Sequence, residues 1–132
     1  NKKVEKMIKA LDHFVLHTTS IEKTIKFYTE VLGLEIIEFS QGRFCIKLGN
    51  QKINLHEKET IAIPKAKEFK TGVMDICFIS DIPLEIIKEK LESSGIKLIE
   101  FDVPRTGSMY LLRSLYFYDF DGNLIEISNE VK

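Results

Sequence analysis

The chain nearly repeats itself, and that constrains it more than any other feature. LGLEIIEF, residues 32–39, aligns with SGIKLIEF, residues 94–101, at an offset of 62. The same offset sets His13 opposite Asp75, Phe14 opposite Ile76 and Leu16 opposite Phe78. An offset of 63 pairs Asp12 with Asp75 and fits the helical segments slightly better, which leaves one residue of slip. Self-similarity at a fixed period marks one supersecondary unit used more than once. A chain of 132 residues has room for one domain built from two such units around a shared core.

Local patterns give the content of each unit. LDHFVLHT (residues 11–18) is strand-like. Ser20 follows as an N-cap, with Lys23 where a capping box would carry its acid. Ile21, Ile25, Tyr28 and Leu32 then fall on one helical stripe, and Gly33 ends it. LEIIEFS, QGRFCIKLG and QKINLHE read as three short strands, broken at Ser40-Gln41-Gly42 and at Gly49-Asn50. Residues 57–71 are polar and mixed, and read as a crossing loop. The pattern then restarts. GVMDICFIS is a strand, PLEIIKEKLESSG a helix with Pro83 near its start, and IKLIEFDV a strand. PRTGSMY is a loop, LLRSLYFYDF a strand, and the Asp121-Gly122 turn leads to the final strand NLIEISN. The expected fold is α+β: tandem βαβββ units, residues 10–57 and 72–129, in a single domain spanning 1–132.

Composition excludes several partners. Charged residues make up 30% of the chain, yet the net charge is −1, so there is no footprint for nucleic acid or an anionic membrane. No apolar run approaches the roughly 20 residues of a membrane-spanning helix. The opening NKKVEKM lacks the apolar stretch of a secretory signal. Cys45 and Cys77 have no metal-type spacing and are expected as two buried free thiols, consistent with a cytoplasmic protein.

The pieces LDHFVL, IKFYTEVLGLEII, GVMDICFI and YFYDFDGNLIEIS together span residues 10–129. This doubled pattern resembles the vicinal oxygen chelate superfamily. That family includes glyoxalase I (lactoylglutathione lyase), fosfomycin-resistance thiol transferases, extradiol dioxygenases and bleomycin-binding proteins. The particular likeness is to glyoxalase domain-containing, lactoylglutathione lyase-like proteins carrying NLHE and VPRTG segments, here residues 54–57 and 103–107. The resemblance implies that each unit forms half of an open, glyoxalase-like barrel. It implies one divalent metal ion on the pseudo-twofold axis, held by the first and last strand of each unit. Carried over, those positions are His13, Asn54 or His56, Asp75 and Glu126.

A set of imidazoles and carboxylates suits nickel, zinc, cobalt, manganese or iron. Such an ion, chelating two adjacent substrate oxygens, acts as a Lewis acid where charge develops. The resemblance makes Glu126 a ligand and the proton-transferring base. Glu126 lies between Ile125 and Ile127, so alternation sends it to the face opposite theirs. A solvated strand face is the plainer alternative. Asp75 replaces the histidine usual at its position, and metal ligation and a buried hydrogen bond both remain open for it. Asn54 stands where the repeat puts Glu126 and is a poor ligand for transition metals. His56, two residues on, shares its face and either reaches the metal or contacts substrate. Arg105, in a loop, is expected to clamp a substrate anion alongside Asn54. His17 and Cys77 are expected as pocket lining.

The function implied is a metal-dependent lyase or isomerase resembling glyoxalase I, chelating a small 2-oxo or thiohemiacetal substrate. An iron(II) extradiol-type dioxygenase and a non-enzymatic drug-binding protein of the bleomycin-resistance type are the alternatives. A homodimer is expected, since exposed strand edges need cover.

Overall fold

The repeat becomes two mixed four-stranded sheets. The computed structural model describes residues 5–132, so the first four residues of the NKKVEKM stretch lie outside the described residues. The first unit contains β1 (His13–His17), α1 (Ile21–Lys26), β2 (Glu35–Ser40), β3 (Arg43–Leu48) and β4 (Gln51–His56). The second contains β5 (Asp75–Ile79), α2 (Leu84–Ser93), β6 (Glu100–Thr106), β7 (Leu111–Tyr118) and β8 (Leu124–Val131). Strand order is β1-β4-β3-β2 in one sheet and β5-β8-β7-β6 in the other. The parallel pairs β1/β4 and β5/β8 correspond, as do the antiparallel pairs. This is the expected α+β tandem βαβββ fold, with the two sheets left unclosed.

Both offsets in the sequence turn out to be real. His13 and Asp75 each open their strand, 62 residues apart, whereas α1 and α2 begin 63 apart, at Ile21 and Leu84. The extra residue therefore lies between β5 and α2. The Ser20 hydroxyl accepts the Lys23 N–H at 3.1 Å, as its N-cap reading requires. The helix then widens into a π-helical stretch, Phe27–Val31, where the Thr29 hydroxyl donates to the Ile25 carbonyl at 2.7 Å.

Each sheet gives one face to a common core. Leu16, Ile46, Ile53 and Leu55 of the first sheet meet Ile76, Leu115, Phe117, Ile125 and Ile127 of the second, with Tyr28, Leu84 and Leu91 from the helical segments. Alternation then turns the opposite faces away from that core. Those open faces carry the polar residues.

A polar clasp ties the units together. The Tyr28 hydroxyl donates to Asp119 Oδ2 at 2.6 Å, and both groups are buried. Thr18 and Thr19 donate their hydroxyls to Asp121 at 2.7 and 2.6 Å. Gly72 closes the other side: its φ is +72°, and an added Cβ would lie 2.5 Å from the Asp121 carbonyl oxygen. A glycine there is dictated by both backbone and space.

Three expectations are corrected. Pro104, Arg105 and Thr106 belong to β6, not to a loop; the loop is only Gly107–Tyr110. β6 is an edge strand, where a proline without an N–H costs no ladder bond. Cys77 is exposed, because it points to the open face, while Cys45 is buried. Asp75 opens β5 instead of lying within a strand, and it is exposed. Among the described residues no helix is long and apolar enough to cross a membrane.

Removing the Tyr28 hydroxyl tests the clasp. Tyr28→Phe keeps the ring in the core but strips a charge-assisted bond from a buried carboxylate. It is expected to cost about 2 kcal/mol, read from urea denaturation.

Candidate functional site

The open face of the first sheet is organised in cross-strand rows. Pairing of β1 with β4 sets His13 beside Lys52, Val15 beside Asn54 and His17 beside His56. β3 continues two of these rows, with Lys47 beside Lys52 and Cys45 beside Asn54. One pair beyond Phe44 and Leu55, Arg43 stands across from His56, and its Nη2 lies 3.3 Å from His56 Nε2. The structure thus brings His17, His56 and Arg43 together. It does not bring His56 to His13, since four residues of strand separate their rows, roughly 13 Å.

Hydrogen bonds settle the ring states in the His17 row. Arg43 can only donate, so His56 Nε2 accepts and its proton sits on Nδ1. His17 Nδ1 accepts the Lys70 backbone N–H at 3.1 Å, which leaves the proton on Nε2. Phe69 stacks on His17 with ring centroids 4.6 Å apart. Phe69 and Lys70 belong to the connection between the units, which therefore folds over this end of the sheet. Burial, then the nearby charge of Arg43 and the neighbouring His17 and Lys65, pushes the His56 imidazole below its ordinary range. Asn54 is 7% exposed and His56 6%.

At the other end of the face, His13 Nδ1 lies 2.8 Å from Asp12 Oδ2. That bond holds the Asp12 carboxyl below its usual range. A carboxylate on Nδ1 orients an imidazole so that Nε2 is free to bind an ion.

The second sheet presents acids and hydroxyls at the matching positions. The registers His13/Lys52 and Asp75/Leu124 are equivalent, so Asn54 does occupy the place of Glu126. Glu126 sits in a row with Cys77 and Tyr116, on the face opposite Ile125 and Ile127. It lines a cavity of about 380 Å³ with Arg105, Cys77, Met109, Tyr110 and Glu130. Arg105 Nε donates to the Tyr116 hydroxyl at 2.8 Å and Nη2 to Glu100 at 3.2 Å. Ser128 donates to Glu126 at 3.3 Å and shares a 2.6 Å bond with Ser114. Although Cys77 is exposed as a residue, partial desolvation of its sulfur and then the adjacent Glu126 shift the thiol above its normal range, which disfavours the thiolate. Asp75, one row away, does not line this cavity. A larger apolar crevice of about 640 Å³ lies between the units, lined by Phe14, Ile53, Phe78 and Leu91 among others. It holds none of the candidate ligands.

Among the described residues, no three His, Cys, Asp or Glu side chains converge in a way that could hold a metal ion. The candidate ligands are divided between separate faces: His13 and His56 stand four residues of strand apart on the first sheet, and Asp75 and Glu126 on the second. Sequence reasoning missed Arg43, Glu100 and the role of Tyr116. Arg43 had a readable signal, because counting back equally from the Gly49-Asn50 turn pairs it with His56.

Residues 10–127 match the family model "Glyoxalase/Bleomycin resistance protein/Dioxygenase superfamily". The chain is 40% identical over 131 residues to virulence protein STM3117 of Salmonella typhimurium, covering 99% of this chain and 91% of that one. The crystal structure of that protein superposes with a TM-score of 0.90, covering 96% of this chain and 100% of the other. Metallothiol transferase FosB of Staphylococcus haemolyticus is 30% identical over 122 residues, 92% of this chain and 84% of its own. FosX of Listeria monocytogenes, a fosfomycin resistance protein crystallised with Mn(II) and sulfate, is 25% identical with a TM-score of 0.65, covering 95% and 93% of the two chains.

His56 gives a pH test. An unfolded histidine takes its proton near pH 6.5, the folded one only at lower pH, so below that point the unfolded state binds more protons. Stability should therefore fall as pH drops from 7 to 5.5. His56→Gln is expected to flatten that slope in urea melts taken across the window.

Proposed function

The chain belongs to the glyoxalase/bleomycin resistance protein/dioxygenase superfamily, and from that premise we propose a metal-dependent lyase or isomerase whose site is completed between two copies. The single observation that carries this is the division of candidate ligands between two open faces of one chain. In this reading His13 of one copy and Asp75 and Glu126 of the other hold one divalent ion. The donor set fits: an oriented imidazole and two carboxylates suit manganese, iron or zinc. The likeness to a metallothiol transferase and to a Mn(II)-bound fosfomycin resistance protein supports a resident ion.

When bound, the ion would act as a Lewis acid on an oxygen of the substrate. The chain's own residues do the rest. Glu126 lies at the wall of the 380 Å³ cavity, where its carboxylate can take and return a substrate proton. Ser128 holds that carboxylate in place. Arg105, fixed by Tyr116 and Glu100, sets a positive charge on the cavity wall and orients an anionic substrate group. A small oxygenated molecule, such as a 2-oxo compound or thiohemiacetal, is the substrate class.

A second reading, addition of a thiol to fosfomycin, is favoured by the 30% identical metallothiol transferase. Consumption of fosfomycin with a thiol by the metal-loaded protein would select it over the lyase.

Glu126→Gln is expected to weaken divalent-metal binding at least tenfold by calorimetry while the thermal melt stays near that of the apo protein. Light scattering at micromolar concentration should give a dimer. Wild-type metal affinity in the glutamine variant would remove Glu126 from the ligand set. A monomer that still binds one ion tightly would overturn the shared site.

A further inference from the structure

Among the described residues, two buried side-chain polar atoms lack any hydrogen-bond partner, Arg43 Nε and Asn54 Oδ1. Both belong to the open face of the first sheet. Asn54 pairs with Cys45 in register, and Arg43 lies two residues along β3 from Cys45, so the two side chains are diagonal neighbours. Diagonal neighbours on a sheet are about 7–8 Å apart. Arg43 already spends Nη2 on His56, and its guanidinium lies 5.3 Å from the Phe39 ring. Its free Nε points a donor at nothing, and the Asn54 carbonyl offers an acceptor to nothing. Native proteins rarely leave such groups unmet, since each costs desolvation without return.

The missing occupant must accept from Arg43 and donate to Asn54. Charge narrows it further. Arg43 and Lys65 are cationic and both act on His56, and His17 turns an N–H outward at Nε2. No carboxylate takes part in these contacts. Val15 and Cys45 share a row with Asn54, so the walls are small and apolar. We propose that the Arg43, Asn54 and His56 cluster is a binding site for a small carboxylate carrying a hydroxyl on the adjacent carbon. The carboxylate accepts from Arg43 Nε, and the hydroxyl donates to Asn54 Oδ1. A plain carboxylate would meet only the first need. Arg43, Asn54 and His56 all come from one chain, but they share the open face of the first sheet with His13, so the inference rests on that face staying open to a small ligand when two copies meet.

The test uses the full chain stripped of metal with a chelator, at pH 7 and constant ionic strength. Glycolate, acetate and inorganic phosphate are titrated separately, and backbone amide shifts at Asn54 and His56 are followed by NMR. Glycolate is expected to bind about fivefold tighter than acetate, the worth of one neutral hydrogen bond. Asn54→Leu should abolish that preference. Asn54→Asp, which keeps the shape and adds a negative charge, should lose both anions. Arg43→Gln should weaken glycolate at least tenfold. A thermal melt of each variant checks that it is folded. Equal affinity for glycolate and acetate in the wild type overturns the proposal, as does a preference that survives Asn54→Leu. Phosphate binding tighter than glycolate overturns the carboxylate class. Absence of binding by all three means that water serves the two atoms, and the site falls.

Discussion

The hydrogen bond from Tyr28 to Asp119 holds the arrangement on which the rest depends. Burial and the Asp119 charge keep that phenol protonated far above its ordinary range, so it remains a donor at any working pH. Asp119 also accepts from the backbone N–H groups of Asp121 and Asn123 and from the Asn123 amide. The Asn123 side-chain Oδ1 in turn accepts the Met74 N–H at the mouth of β5. Asp121 takes the Thr18 and Thr19 hydroxyls at the exit of β1. One turn thereby fixes the end of β1, the start of β5 and the start of β8. Glu126 follows three residues after Asn123, so its position is set by the same network that joins the units.

Joining the sheets through a common core has an electrostatic consequence. The open face of the first sheet carries Lys47, Lys52, Arg43, His13, His17 and His56 against one carboxylate, Glu35, while the second presents Asp75, Glu126 and Glu100 against one cation, Arg105, with Tyr116, Ser114 and Ser128. Two like faces brought together would repel, and unlike faces attract. Complementary potentials select orientation more than they add affinity. In a pair of copies the favoured arrangement sets the basic face of one against the acidic face of the other, and does so twice.

Much of this was legible in the sequence because it rests on local rules. The repeat, the Ser20 cap, the Gly33 stop and the turns at Gly49-Asn50 and Asp121-Gly122 each have a short-range physical cause, and each stands in the structure. Glu126 was placed on the face opposite its isoleucines by alternation alone. What failed depended on tertiary position. Pro104 read as a loop because a proline is barred from a central strand, but nothing local says that β6 lies at an edge. Cys77 read as buried because thiols usually are, and its exposure follows from which sheet face meets the core. Arg43 was overlooked because a lone strand arginine carries no signal until the hairpin register sets it against His56.

Asn54 shows where the pseudo-twofold is broken to effect. A carboxylate there would mirror Glu126 and give the first sheet a half-set of its own. It would also lie diagonal to Arg43, and an ion pair between them would neutralise the cationic row and fill both vacant hydrogen-bonding positions. The neutral amide keeps the acceptor oxygen and omits the charge. Arg43 Nε stays free, and burial and the Arg43 charge hold the His56 imidazole below its ordinary range, while the carboxylates Asp75 and Glu126 stand on the second unit. The duplicated fold thus supplies two equivalent frames, and an amide where the other has a carboxylate makes them differ: one open face keeps a free donor and a free acceptor, the other keeps Asp75 and Glu126.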